Sequence, residues 1–137
     1  MNTKRTHRLL PLAIALVMAL SLLPTKAWGY YVLQGSGTEA SPYLISSAQA
    51  LESLAEQVND GALKTEGVYF RQTADIDLSG FKNNSWVPIG NATGSGGTGR
   101  TFDGIYDGNG FRIKNFVFED TTRKYYGLFG LLSNTCL

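Results

Sequence analysis

Residues 102–113 read Phe-Asp-Gly-Ile-Tyr-Asp-Gly-Asn-Gly-Phe-Arg-Ile, and this stretch decides the fold. It places a turn of Asp, Gly and Asn between two apolar bursts, and these residues favour the backbone angles of a tight reversal. Such bursts are typical of a β-solenoid, in which each coil buries its inner side chains on its neighbours. An antiparallel sandwich or barrel would give similar bursts, so the periodicity alone leaves both folds open.

The same pattern of short apolar bursts and turns continues on both sides of this stretch. Residues 75–78 alternate polar and apolar side chains with the period of two that a strand requires. A short apolar stretch at 86–90 precedes a glycine-rich loop at 91–99. The sequence predicts six strands, of which the fifth is the longest: residues 43–45, 68–72, 75–78, 102–106, 111–118 and 127–132.

One helix is expected, at about residues 47–59. Its apolar residues recur at intervals of three and four and form one stripe: Leu51, Leu54, Ala55 and Val58. Ser46, with Gln49 three positions on, predicts a capping box at its start. Gly61 suits the left-handed conformation that follows a helix.

The first 29 residues have the three parts of a secretory signal peptide. Lys4, Arg5 and Arg8 precede an apolar run at 9–23, which is shorter than the ~20 residues of a membrane span. Small residues allow cleavage after Ala27 or after Gly29, of which we favour the second. An uncleaved N-terminal anchor is the alternative. Residues 30–137 would then be exported as one small domain, with no membrane span, to a secreted or cell-surface location.

Removal of the signal changes the charge and the chemistry of the chain. The whole sequence has 12 basic and 11 acidic residues, and residues 30–137 keep 8 and 11 of them, for a net charge of about −3. Dispersed negative charge excludes nucleic acid as a partner. The one His, His7, lies in the signal, and the one Cys is Cys136. We therefore expect no catalytic, cofactor-binding or metal-binding residues, no cofactor, and no enzymatic activity.

Five blocks in a fixed order carry a resemblance to a known family: Pro-Tyr-Leu-Ile-Ser at 42–46, Phe-Arg-Gln-Thr-Ala-Asp-Ile-Asp-Leu at 70–78, Trp-Val-Pro-Ile-Gly at 86–90, residues 102–113, and Gly-Leu-Phe-Gly at 127–130. Together they resemble bacterial cell-surface proteins with GLUG-type repeats. The resemblance implies a right-handed parallel β-helix, capped at its N-terminal end by the helix, with a role in adhesion or surface display.

The sequence departs from that family in having a single Gly-Leu-Phe-Gly block. Members of the family usually continue with many more coils, so we expect this chain to be an N-terminal fragment or a truncated reading frame. Repeat folds bury their core between neighbouring coils. An uncovered last coil, with Leu131 and Leu132 at its end, predicts marginal stability or association through the open edge.

Asp75 and Asp77 are the best candidates for catalytic carboxylates. Two positions apart on a strand, their Cα atoms are expected ~6–7 Å apart on one face, within the range of paired glycosidase carboxylates. The favoured interpretation is a solvated outer face opposite buried Ile76 and Leu78.

Metal binding has two weak candidates. Residues 75–80 match the first half of an EF-hand loop, but its twelfth position is Trp86 instead of Glu, so this interpretation is rejected. Asp103, Asp107 and Asn109 could hold Ca²⁺ between coils, whereas turn formation is the favoured role.

Aromatic residues offer a sugar-binding interpretation. Tyr30 and Tyr31 could stack on sugar rings, and Tyr125 with Tyr126 is the better surface candidate. Trp86 is expected to fill the core instead.

The sequence thus predicts a non-catalytic segment of an exported surface protein that acts as a scaffold or binding surface. Its expected partners are host or cell-surface glycans or proteins and further coils of the same protein. Two alternatives remain: the N-terminal part of a β-helical polysaccharide lyase or hydrolase, and a small carbohydrate-binding module.

Overall fold

The computed structural model describes residues 29–81, 86–91, 100–117 and 126–133. Most regular elements in these ranges are strands, which pair in two small sheets that do not close into a barrel. Residues 1–28 of the predicted signal, residues 92–99 of the glycine-rich loop, Tyr125 and Cys136 lie outside these ranges. The elements are one helix, α1 (Ala48–Asn59), and five strands: β1 (Tyr43–Ile45), β2 (Tyr69–Gln72), β3 (Ile76–Asp77), β4 (Ile105–Asp107) and β5 (Ile113–Lys114).

Both sheets are built from parallel strands. The first sheet has the order β1-β2-β4 and the second pairs β3 with β5. In the first sheet, the register places Tyr43, Phe70 and Tyr106 in one row across the strands. Parallel pairing distinguishes this arrangement from the antiparallel alternative, because hairpin-connected strands pair in opposite directions.

Four segments of the chain pair with four later segments in the same order. Sheet pairs and isolated bridges, all parallel, join Phe70 to Tyr106, Ile76 to Ile113, Ile89 to Phe129, and Phe102 to Leu132. The partners are 30 to 40 positions apart in sequence. We call the four earlier segments the first pass of the chain and the four later segments the second pass. The second pass therefore runs beside the first, in the same direction and the same order.

The helix begins one residue later than the predicted capping box requires. Ser47 has extended backbone angles (φ −155°, ψ 166°), and its Oγ accepts a hydrogen bond from the Ala50 N–H at 3.2 Å. The prediction of Ser46 and Gln49 as a capping box is wrong, because a cap at Ser47 puts Ala50 in the reciprocal position, and alanine has no side-chain acceptor. Gly61 has φ +73°, as predicted, and its N–H bonds the Val58 carbonyl.

The core is one cluster shared by α1 and the inner faces of the strands. All four residues of the predicted helix stripe are buried: Leu51, Leu54, Ala55 and Val58. Burial of each leucine contributes about 1.5–3 kcal/mol relative to exposure. Most of the stability of so short a helix therefore comes from this packing.

Aromatic rings continue the core from one strand to the next. The ring centroids of Phe70 and Phe102 are 5.5 Å apart, and those of Phe102 and Phe129 are 5.0 Å apart. Tyr43 packs on Phe70 at 5.7 Å and Tyr106 on Phe129 at 5.7 Å. Rings from both passes of the chain thus fill one continuous interior.

Three strand predictions need correction. The strand predicted as longest, at 111–118, is wrong: only Ile113–Lys114 pairs, because Asn115 has φ +57° and turns the backbone out of the strand. Residue 118 lies outside the described ranges. The strand predicted at 102–106 lies at Ile105–Asp107 instead. The segment at 127–132 pairs only through bridges at Phe129 and Leu132.

Candidate functional site

Asp75 and Asp77 lie on the exposed face of the second sheet, opposite buried Ile76. Asp75 Oδ2 is 2.6 Å from Lys114 Nζ, and Asp75 Oδ1 accepts from the Arg112 N–H at 2.9 Å. The Lys114 ammonium and the Arg112 N–H hold the pKa of the Asp75 carboxyl below its usual value. The predicted outward, solvated face is confirmed.

Asp77 is held by the residue that follows β5 and by the turn that follows its own strand. Its Oδ1 accepts from Asn115 Nδ2 and from the Ser79 N–H, each at 2.8 Å. The Asn115 amide and the Ser79 N–H lower the pKa of the Asp77 carboxyl. A glycosidase general acid needs a raised pKa, so this pair of carboxylates fits a structural role on the sheet surface and does not fit acid catalysis.

Asp107 and Asn109 form the turn after β4, as predicted. The Asp107 carboxylate accepts from the Asn109 N–H at 2.8 Å and from Arg71 Nε at 2.9 Å. These two donors lower the pKa of Asp107. Asn109 has φ +49°, the left-handed conformation that asparagine tolerates.

Asp103 lies apart from that turn. Its N–H donates to Thr65 Oγ1 at 2.8 Å, and its Oδ1 is buried without a hydrogen-bond partner. In the part of the chain that the structure describes, three or more acidic, His or Cys side chains nowhere cluster in a way that could hold a metal ion.

Trp86 fills the core, as predicted. Only 3% of it is exposed, and its Nε1 donates to the Gly127 carbonyl at 3.3 Å. Phe81 and Phe116 contact the indole edge-on at centroid distances of 5.4 and 6.1 Å. Trp86 is therefore not available to stack on a ligand, whereas Tyr126 is exposed.

Tyr30 and Tyr31 lie at an open cleft of about 470 Å³, which we call the tyrosine cleft. The N-terminal segment, β1, α1 and the turn after α1 all contribute to it. Its lining residues are Gly29, Tyr30, Tyr31, Val32, Leu33, Tyr43, Gln57 and Leu63.

Three hydrogen bonds position the N-terminal segment along this cleft. The Leu44 N–H donates to the Gln34 carbonyl at 2.8 Å, which places the segment beside β1. Ser53 Oγ donates to the Tyr31 carbonyl at 2.8 Å, which fixes it to α1. The Tyr30 hydroxyl donates to Asp60 Oδ2 at 2.7 Å, at the end of α1.

The ring of Tyr43, which forms one wall of the cleft, packs against Phe70 and Gly37. Phe70 lies on the core side, and a Cβ atom at Gly37 would lie only 2.7 Å from Tyr43 Cε2. Gly37 also has φ +74°, which favours glycine. Glycine at position 37 therefore lets the backbone close against the tyrosine ring.

The cleft is lined by neutral side chains, and the carboxylates of Asp60 and Glu56 lie near Tyr30. The hydrogen bond to Asp60 raises the pKa of Tyr30, and burial and the charges of Asp60 and Glu56 add to the effect. Tyr30 therefore stays protonated and donating at neutral pH. Gln57 supplies the amide of the lining, and its Nε2 donates to Ser53 Oγ at 3.1 Å.

Sequence reasoning missed the buried polar residues that join the elements. Gln72 is 1% exposed; its Nε2 donates to the Ala74 and Arg112 carbonyls, and its Oε1 accepts from the Tyr106 hydroxyl. The available signal was the alternation in Tyr69–Gln72, which turns Phe70 and Gln72 to the same inner face.

Asn59 has a similar role at the end of α1. Its Nδ2 donates to the Pro88 carbonyl at 3.0 Å, and its Oδ1 accepts from the Gly90 N–H at 2.9 Å. This side chain fixes the apolar stretch at 86–90 to the helix. The sequence holds no local signal for it, because the partners are about 30 positions away.

Comparison with known proteins finds neither a matching family model nor a matching solved structure. Two curated relatives are similar over about three quarters of the chain. A protein described as a Gly-rich membrane protein, from Evansella cellulosilytica, is 33% identical over 106 residues, which is 75% of this chain. Halomucin of Haloquadratum walsbyi is 35% identical over 107 residues, which is 74% of this chain. The chain spans 11% of the length of the first relative and 1% of the second.

Proposed function

We propose that the chain is the capped beginning of a right-handed parallel β-helix that serves as a non-catalytic scaffold at a cell surface. The observation that carries this proposal is the order of the parallel pairs. Four successive segments meet four later segments in the same sequence order. A solenoid requires this order, because each coil lies directly on the one before it.

The packing of α1 supports its proposed role as the cap on the N-terminal end of the β-helix. Leu51 and Leu54 of α1 are fully buried in the cluster that also holds Ile45 and Phe70 of the first sheet. The helix thus covers apolar side chains at the β1 end of that sheet. Right-handedness follows from the preference of parallel crossover connections for that hand.

The relatives and the surface chemistry support the location and the absence of catalysis. One relative is named as a membrane protein and the other as halomucin. Within the described residues, no helix has the length and hydropathy to cross a bilayer. The paired carboxylates Asp75 and Asp77 have lowered pKa values, which does not suit a proton donor.

The GLUG-type resemblance belongs to the same proposal. The parallel bridge of Phe129, within the Gly-Leu-Phe-Gly block, to Ile89 supports the assignment of this block to a coil. Further coils of the same kind are the expected partners of this segment, together with glycans or proteins at the surface.

The surface location is tested by protease treatment of intact cells that express the chain. We expect the chain to be exported and degraded, while a cytoplasmic marker survives. Retention of the full-length chain inside the cells would contradict the proposal.

The parallel register is tested with engineered disulfides in a Cys136→Ser background. Arg71 and Asp107 are register partners, so Arg71→Cys with Asp107→Cys is expected to crosslink. The matched control is Arg71→Cys with Lys114→Cys, whose strands belong to different sheets. Crosslinking of the control alone would contradict the register.

The non-catalytic role is tested by incubation with a panel of polysaccharides. We expect no change in chain length and no new reducing or unsaturated ends. Turnover of any polysaccharide would replace the scaffold proposal by the alternative of a polysaccharide-active enzyme.

A further inference from the structure

A scaffold role leaves the tyrosine cleft unexplained, because coil stacking does not use it. We propose that this cleft binds a neutral pyranose sugar. The inference does not rest on the scaffold proposal, since the cleft is formed by the N-terminal segment, β1 and α1.

The size and lining of the cleft fit a small amphipathic ligand. Small-molecule sites typically enclose about 300–1,000 Å³ and combine apolar and aromatic walls with a few polar groups. The cleft measures about 470 Å³ and has three tyrosines, three aliphatic residues and one amide in its lining. The Tyr30 hydroxyl and the Gln57 amide already bond Asp60 and Ser53, and each can form a further hydrogen bond that a wholly apolar ligand would not supply.

A pyranose satisfies both kinds of group at once. Its C–H face packs on an aromatic ring, and its hydroxyls bond to polar atoms at the ring edges, as tyrosine allows. Tyr31 and Tyr43 are half-buried, so the rings are held while part of each stays open to the cleft. The bond from the Tyr30 hydroxyl to Asp60 fixes a third ring. Rings fixed before binding lose little entropy when the ligand arrives.

The charges around the cleft select a neutral ligand. The lining side chains carry no charge, and the carboxylates of Asp60 and Glu56 lie near Tyr30. Uronic, sialic and sulfated sugars and phosphate would find no cationic side chain among the lining residues to pair with. A cation would lack a carboxylate among the lining residues to pair with. Uncharged hexoses and N-acetylhexosamines remain.

The test is titration of the chain, exported and cleaved after Ala27 so that Gly29 and Tyr30 both stay within the lining, with methyl glycosides of glucose, galactose and N-acetylglucosamine. Ligand-observed NMR detects weak binding directly. We expect at least one glycoside to bind with millimolar affinity, and Tyr31→Ala to weaken binding by about tenfold or more. Tyr31→Phe, which keeps the ring, is expected to retain most of the affinity.

Two further variants separate binding from folding. Gln57→Ala removes the amide of the lining together with its bond to Ser53 Oγ, and is expected to weaken binding several-fold without loss of the folded signal. Tyr126→Ala removes an exposed tyrosine that is not among the lining residues, and is expected to bind normally. Equal losses in Tyr31→Ala and Tyr126→Ala would overturn the proposal.

Control ligands complete the test. Heparin, glucuronate and choline chloride are expected not to bind. Binding of any of these in preference to the neutral glycosides would overturn the assignment, as would the failure of every neutral glycoside to bind at millimolar concentration. Neither outcome affects the disulfide or protease tests of the scaffold.

Discussion

Gln72 stabilises the fold from inside, at the junction of the two sheets. Its amide bonds the Ala74 and Arg112 carbonyls and the Tyr106 hydroxyl. Gln72→Leu keeps the volume but removes the partner of the Ala74 carbonyl and the Tyr106 hydroxyl, while the Arg112 carbonyl keeps its bond from the Ile76 N–H. An unsatisfied buried polar group costs about 1–3 kcal/mol. We expect the free energy of unfolding, measured with urea, to fall by about 2 kcal/mol or more.

Gln49→Leu is the matched control for Gln72→Leu, because Gln49 is exposed on α1. A surface change of this kind is expected to alter the free energy of unfolding by no more than about 0.5 kcal/mol. Equal effects of the two substitutions would show that the buried bonds of Gln72 contribute nothing.

Asp75 makes the stability of the chain depend on pH in the acid range. Its folded pKa is below 3.8 because of Lys114 and the Arg112 N–H. Such a group stabilises the fold fully above its unfolded pKa, and this contribution is lost as the pH falls through the lowered folded pKa. Asp75→Asn is expected to make the melting temperature fall less steeply below pH 4, in a series of thermal melts.

Glu39→Gln removes an exposed carboxylate from a loop and serves as the control for Asp75→Asn. It is expected to leave the fall of the melting temperature below pH 4 unchanged. If the melting temperature fell equally steeply below pH 4 in the parent chain and in Asp75→Asn, the role assigned to the pair with Lys114 would be contradicted.

At the scale of elements, the start of α1 depends on Ser47. The Ser47 hydroxyl satisfies the Ala50 N–H, one of the unpaired donors of the first helical turn. Replacing such a cap by alanine costs about 1 kcal/mol. We expect Ser47→Ala to lower the free energy of unfolding by this amount in urea titrations.

Ser46→Ala distinguishes the observed cap from the one that the capping-box pattern predicts. Ser46 is exposed, so its substitution is expected to change the free energy of unfolding by less than about 0.5 kcal/mol. A larger loss in Ser46→Ala than in Ser47→Ala would place the cap at Ser46 after all.

At the scale of the whole molecule, the two ends of the first sheet differ. The outer edge of β1 is covered by the bridge between Gln34 and Leu44. Among the described strands, none pairs with the outer edge of β4, and Leu132 in the same pass is 53% exposed. Unpaired edges with apolar neighbours favour association.

Association through one end alone gives a closed pair and no fibre, because the same surface is used on both copies. We expect the exported chain to form a dimer in analytical ultracentrifugation. Leu132→Lys introduces charge at the open end and is expected to shift the equilibrium to monomer. Val87→Lys, at an exposed apolar residue outside the Leu132 segment, is the control and is expected to dimerise normally. A monomeric parent chain with a cooperative melt would contradict this prediction.

The sequence by itself determined the features that depend on neighbours along the chain. The helix stripe is set by spacings of three and four, and Gly61 ends the helix because glycine tolerates a positive φ. The alternation at 75–78 placed Ile76 inside and Asp75 outside, because successive strand residues point to opposite faces. The parallel β-helix itself stays a proposal.

Only the tertiary structure decided which distant residues meet. The register of the parallel pairs, the bonds of Gln72 and the meeting of Tyr31 with Tyr43 and Gln57 join positions far apart in sequence. Tyr30 and Tyr31 could be predicted as candidates for stacking, but the cleft around them could not. Local periodicity records which face of an element is buried, whereas the partner of that face depends on how the chain closes its long loops.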